Sequence, residues 1–123
     1  RKERVLGVKS GSTTKAYNIS PFADDIGVIN DSIGGKSIVI AASKNDKYAV
    51  AFERTTKDGT VLEFTAEFNQ LPIIMSDNEG SRWDINGHAV SGPRSGEQLS
   101  LPFSYIAYWY AWAAFFPETT VYQ

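Results

Sequence analysis

Two turn dipeptides, Asp58-Gly59 and Asn86-Gly87, and the pair Gly34-Gly35 each stand between short runs rich in β-branched and aromatic residues. This punctuation constrains the chain more than any other feature. Glycine accepts positive φ without penalty, so an extended segment can reverse on itself at each of these places. Asp-Gly and Asn-Gly are also strong short-range hairpin signals. Runs 5–8 and 16–19 flank a Ser/Gly/Thr turn, and runs 26–29 and 36–42 flank Asn30-Asp31-Ser32-Ile33-Gly34-Gly35. Run 48–54 is expected to pair with 60–65 across Asp58-Gly59, and in the second of these Leu62 and Phe64 alternate with Val61 and Glu63. Segments 71–75, 81–85 and 88–90 continue the series, with Asn86-Gly87 expected as a type I′ turn. Many short strands with turns roughly every 8–12 residues predict a mainly β fold, an antiparallel β-barrel or sandwich built of successive hairpins.

The end of the chain reads differently. Ser104 can cap a helix and Pro117 cannot continue one, so one C-terminal, aromatic-rich α-helix is expected over 105–116. Nine of the sixteen aromatic residues lie in 103–122. At helical spacing, Tyr105, Trp109, Trp112 and Phe116 form one stripe, which is expected to pack on the β-structure. Tyr108 and Phe115 fall on a second stripe and Tyr110 on a third, and no residue of the segment is charged. A helix apolar on every side is buried on every side. A domain this small leaves one side outward, and each large side chain left in water forgoes roughly 1.5–3 kcal/mol of burial. An interface with another protein is therefore expected at Tyr105, Tyr108, Trp109, Tyr110, Trp112, Phe115 and Phe116. The partner is an identical subunit or a neighbouring domain.

Composition removes other readings. The 123 residues suit a single domain over 1–123, with no internal boundary or repeat. Twelve Lys+Arg against fourteen Asp+Glu give no electrostatic footprint for nucleic acid. The uncharged stretch 99–117 has a dense apolar part too short for a membrane span, which needs ~20 residues. There is no cysteine, so there is no thiolate ligand or nucleophile and no disulfide. Such a chain suits a reducing compartment, or a secreted protein held by packing alone. The charged start, Arg1-Lys2-Glu3-Arg4, has no signal-peptide core behind it, and we read the chain as processed or part of a longer polypeptide. Asn18-Ile19-Ser20 and Asn30-Asp31-Ser32 match the glycosylation sequon, which matters only on a secretory route.

Candidate chemistry is thin. Gly34-Gly35-Lys36-Ser37 lacks the earlier glycine of a phosphate-binding loop, since Asn30 stands there. Ser95, in Gly92-Pro93-Arg94-Ser95-Gly96, is not in a nucleophile elbow, and only His88 could serve as its base. A histidine beside a hairpin turn is ordinarily solvated. Asp24-Asp25 and Asp77-Asn78-Glu79-Gly80 read as solvated or turn carboxylates without calcium-loop spacing. No catalytic residue, metal ligand or cofactor is expected.

The order and spacing of several segments resemble the DUF3179 family, bacterial and archaeal domains of uncharacterised function. Asn78-Glu79-Gly80-Ser81-Arg82-Trp83 resembles its acidic-turn-Ser-x-Trp segment, and Gly87-His88-Ala89-Val90-Ser91-Gly92-Pro93 its Gly-x-Ala-Ile-x-Gly-Pro. Gly96 with Leu99, Leu101-Pro102, Trp109-x-x-Trp112 and Pro117-Glu118-Thr119-x-Val121 follow in the family's order. Upstream, Val28-Ile29-Asn30-Asp31-Ser32-Ile33-Gly34-Gly35 and Ala49-Val50-Ala51-Phe52-Glu53-Arg54 also fit. The chain departs from the pattern at two places. Where many members carry Cys-Pro-x-Cys it has Ser43, Lys44, Asn45 and Asp46, and where many carry an upstream His it has Ile26. A Cys and His pair is the chemistry of a metal or redox site. The departures imply that any such site is lost here. The family helix usually carries charges that this segment lacks.

The resulting expectation is a non-catalytic structural or interaction domain that packs into a larger assembly through its aromatic helix. The resemblance implies an extracytoplasmic location, periplasmic, cell-surface or secreted, since related proteins often carry export signals. The alternative is an accessory redox domain in which His88 or Met75 contacts a metal or haem supplied by a neighbour. A hydrolase using Ser95 and His88 ranks last.

Overall fold

The computed structural model describes residues 4–18, 27–43, 48–108, 112, 114, 116 and 119–121. The fold is mainly β, as expected, and its sheets stay open rather than closing into a barrel. The first sheet holds β1 (Arg4–Ser10), β2 (Thr13–Asn18), β10 (Phe103–Tyr108) and β11 (Thr120–Val121), in the order β10-β1-β2-β11. The middle sheet is β3 (Gly27–Ile33), β4 (Lys36–Ser43) and β5 (Tyr48–Glu53), in that order. The third holds β6 (Phe64–Ala66), β7 (Ile73–Asp77), β8 (Arg82–Asp84) and β9 (Ala89–Ser91), also in order.

The middle sheet is covered on both faces, and the reason lies in β4. Side chains alternate across a strand, yet Ile38, Val39, Ile40, Ala41 and Ala42 are all fully buried. Ile38 and Ile40 pack with Leu6, Val8 and Tyr17 of the first sheet. Val39 and Ala41 pack with Ile74, Met75 and Trp83 of the third. A continuous apolar run rather than an alternating one is what a strand buried on both faces requires. Two separate cores result, one on each side of the middle sheet.

The expected hairpins β1–β2 and β3–β4 form. Ile33 pairs with Lys36 across Gly34 and Gly35, whose φ of 55° and 82° suit the type I′ turn that needs two left-handed residues. Two other turns differ. At Asp58-Gly59 the chain does reverse, through Thr56 N–H to Thr60 C=O (2.8 Å) and Leu62 N–H to Arg54 C=O (3.0 Å). It does not go on to pair with β5, however: β6 pairs with β7, so this segment leaves the middle sheet for the third. At Asn86-Gly87 only Gly87 has positive φ, so no type I′ turn forms; its N–H closes on Asp84 C=O at 2.9 Å instead. There an added Cβ would lie 2.7 Å from the Phe52 ring.

Among the described residues the expected C-terminal helix over 105–116 is not found. Residues 105–108 belong to β10, which pairs antiparallel with β1 from Arg4↔Tyr108 to Lys9↔Phe103. Aromatic and β-branched residues suit a strand as well as a helix, and β1 has an edge whose N–H and C=O groups need partners. Of the remainder, residues 109–111, 113 and 115 lie outside the described residues. One bond of helical spacing is described there, from Phe116 N–H to Trp112 C=O at 2.9 Å.

Trp112 lies on the outer face of the first sheet. It is fully buried with Val5 and Ala16, its ring 4.4 Å from that of Phe116, and its Nε1 donates to Thr119 Oγ1 at 2.9 Å. The chain thus passes from β10 at one edge to β11 at the other, where β11 runs parallel to β2. The indole needs a floor without side chains, and Gly7 supplies it: a Cβ there would sit 2.2–2.4 Å from three Trp112 ring carbons. Gly7→Ala is expected to lower the unfolding free energy by about 1–3 kcal/mol, the range for overpacking a filled site. Urea denaturation measures it, and the same change in a Trp112→Leu background is expected to cost less, because the clashing ring is gone.

Candidate functional site

Of the seven residues expected at an interface, Tyr105 and Tyr108 lie in β10, Trp112 and Phe116 pack on the first sheet, and Trp109, Tyr110 and Phe115 fall outside the described residues. Met75 is fully buried in the core between the middle and third sheets. His88 sits in the turn after β8, half exposed, with Nδ1 3.8 Å from Asp84 Oδ2. Ser95 is exposed in the turn that follows β9. Ser43 is buried at the end of β4. Its neighbour Ala42 pairs with Gly27, which adjoins Ile26 in sequence. Residues 44–47 and Ile26 lie outside the described residues, as does Asp24-Asp25. Among the described residues no group of three or more His, Asp or Glu is placed to hold a metal ion.

Polar chemistry inside the molecule works to fasten layers. Asn30 and Asp31 are consecutive in β3, so they face opposite sheets. Asn30 grips Phe64 of β6 by both main-chain groups, donating from Nδ2 to the C=O and accepting from the N–H, each at 2.8 Å. Asp31 Oδ2 accepts from Tyr17 OH at 2.7 Å and from Lys15 Nζ at 2.8 Å, both on β2. Burial pushes the Asp31 pKa up, but the hydrogen bonds from Lys15, Tyr17 and the Ser32 amide outweigh it and hold the carboxyl below the usual aspartate value. Arg54, buried, donates to the carbonyls of Ile38 (2.6 Å), Leu62 (2.9 Å) and Asp31 (2.8 Å) and to Glu63 Oε2 (2.7 Å). Asn30-Asp31 was read from the sequence as turn chemistry. The Nδ2 that a glycan on Asn30 would need is spent on Phe64.

The family-like turn 77–83 has its own organiser. Asp77 Oδ1 accepts the Glu79 and Ser81 amides, and Oδ2 accepts Trp83 Nε1 at 2.8 Å. Ser81 Oγ accepts the Arg94 amide at 2.9 Å, tying this turn to the loop after β9. The Arg94 guanidinium meets Glu79 (2.8 Å), Glu97 (3.2 Å) and Asp58 (3.5 Å) around a depression of about 420 Å³. Its donors are occupied by carboxylates, so it is not set to capture an anion.

The surface feature that stands out is apolar. Leu101, Phe103 and Ile106 are 67%, 55% and 46% exposed on one short stretch leading into and along β10. Leu101 and Ile106, but not Phe103, which faces the other side of β10, also line a groove of about 430 Å³ along the outer edge of β5, together with Leu6, Ser104, Ile85 and Asn86. None of its lining residues is charged.

Residues 1–119 match the profile of a family described as a protein of unknown function, DUF3179. The chain belongs to the DUF3179 family. No curated protein and no solved structure matches it. Membership covers both halves of what the geometry shows: the β3 segment with Asn30 and Asp31, and the turn organised by Asp77, lie within the matched residues.

Two substitutions test the polar fastening. Asn30→Ala leaves two main-chain groups of Phe64 without their partner and is expected to cost about 1–3 kcal/mol in urea denaturation. Asp31 has a folded pKa below its unfolded value, so its contribution is present above roughly pH 4 and is lost as pH falls through the folded value. The wild type is therefore expected to lose stability more steeply than Asp31→Asn on acidification, as followed by urea midpoints at a series of pH values.

Proposed function

We propose that this domain is a non-catalytic interaction module, built into a larger extracytoplasmic assembly through the uncharged stretch that carries β10. The observation that carries the reading is that the exposed side chains of Leu101 and Ile106 line an uncharged groove, while exposed Phe103 stands on the opposite face of β10. Large apolar side chains exposed around an uncharged groove mark a contact with another protein more often than they stand alone. An edge strand normally carries Lys, Pro or a bulge against unwanted pairing. Phe103–Tyr108 has none of the charged or proline residues among these. Of the aromatic residues expected at the interface, Tyr105 and Tyr108 lie on β10 while Trp112 is buried against the first sheet, so the proposed contact lies on a strand. Among the described residues no helix is long and apolar enough to cross a membrane. The extracytoplasmic placement is supported by the family resemblance alone.

The chain has no cysteine, so a single introduced thiol is a unique labelling site. Ile106→Cys carrying a photo-crosslinker, expressed in the native host, is expected to give one defined adduct. The same label at Thr65, exposed on β6, is expected to give none. Adding Leu101→Ser is expected to remove the Ile106→Cys adduct without changing thermal stability. Equal labelling at both positions overturns the proposal.

A further inference from the structure

Three apolar clusters hold the described residues together, and they are unequal. The two that flank the middle sheet contain ten and seven buried residues. The third, on the outer face of the first sheet, is built from Val5, Ala16 and Trp112, with Phe116 packed against them. The clusters share no residue. Among the described residues neither large cluster draws on anything beyond Leu99, whereas Trp112 and Phe116 serve the small one.

The route from Trp112 to β11 is fastened lightly. Trp112 Nε1 donates to Thr119 Oγ1 at 2.9 Å, and Thr119 Oγ1 shares a 2.7 Å hydrogen bond with Oγ1 of buried Thr14. Thr120 Oγ1 donates to Thr14 C=O at 3.4 Å. β11 pairs with β2 over two residues, Thr120 opposite Lys15 and Val121 opposite Ala16, and both Thr120 and Val121 are exposed. The pairing is parallel, the slightly less stable arrangement per residue. Beneath the indole lies Gly7, which has no side chain to grip it. By contrast β10 pairs with β1 over six residues, from Arg4↔Tyr108 to Lys9↔Phe103. Loss of β11 therefore leaves β10, β1 and β2 joined. Few buried apolar contacts and exposed main-chain bonds are the marks of a unit that opens by itself.

We propose that the chain from Trp112 to Val121 is a releasable strap, which opens as a unit while both cores flanking the middle sheet stay folded. Opening lifts the indole from a slot floored by Gly7 and walled by Val5 and Ala16. It also separates the hydroxyls of Thr14 and Thr119. The open form offers an apolar slot, with a hydroxyl beside it, that the closed form hides. The strap stands apart from the contact proposed around Ile106, because Ile106 is paired with Leu6 and faces the other side of the first sheet.

The wild-type chain carries its own pair of reporters. Trp112 and Trp83 are both fully buried, and each donates from its indole N–H, Trp112 to Thr119 within the strap and Trp83 to Asp77 Oδ2 at 2.8 Å beside a large core. Hydrogen exchange of these two indole protons, followed by NMR in a series of urea concentrations below the unfolding transition, tests the strap. The Trp112 proton is expected to exchange about a hundredfold faster than that of Trp83 or more, at a rate that urea changes little. Exchange at Trp83 is expected to rise with urea along the slope of global unfolding. Ile74→Val trims a fully buried side chain of the large core and leaves the strap untouched. It is expected to speed Trp83 exchange about fivefold and to leave Trp112 exchange unchanged, since the closed and open forms share that core. Equal rates with equal urea slopes at the two indoles overturn the proposal. So does acceleration of both protons alike by Ile74→Val, which means that Trp112 is released by global unfolding alone.

Discussion

Burial of β4 on both faces is the constraint from which the rest of the architecture follows. Ile38 through Ala42 expose nothing, so two separate apolar surfaces must be brought to them, one from the first sheet and one from the third. Neither outer sheet has that need. The first uses its second face for Val5, Ala16 and Trp112, a much smaller cluster, and β9 keeps Val90 outward. The central strand has no polar position to spare, so the polar links between layers are carried by its neighbours. Asn30 and Asp31 reach one to each side from β3, and Arg54, just past β5, gathers carbonyls from β3, β4 and the segment before β6. A half-satisfied version of such a network would be worse than none.

How much of this was legible in the sequence depends on how local the cause was. The β1–β2 and β3–β4 hairpins are set by turn residues and adjacent runs, and both could be read. The path after Asp58-Gly59 could not. The turn is local, but the choice between β5 and β7 as partner of 64–66 is made by Asn30, more than thirty residues away. The aromatic segment misled for a related reason. Over four residues, helical and strand periodicities both fit Tyr105 to Tyr108, and what decides between them is the free edge of β1 at the far end of the chain. The two-sided burial of β4 did leave a signal, the unbroken apolar run after Ser37. Asn30-Asp31 left one as well: a polar pair inside β-branched neighbours is costly in a strand unless both partners are supplied.

The candidate surface combines these same features. Its uncharged character was visible in 99–117, but its location was not, because the groove exists only where the middle sheet stops short under β10. With no cysteine and one histidine, this member of the family offers little from which to build a thiolate or imidazole centre. Its internal hydrogen bonds from Asn30, Asp31 and Arg54 tie neighbouring sheets and strands together. The described part of the molecule reads as a rigid frame with one soft side.

The pairing of β1 with β10 and of β2 with β11 also dictates an order of events during synthesis. The N-terminal hairpin leaves the ribosome with both of its edges bare. It stays so until nearly all of the described residues have been translated, because its two flanking strands come last among the described ones. Contacts of such large sequence separation form late and slowly. Until β10 and β11 arrive, both margins of that hairpin are open to pairing with other strands.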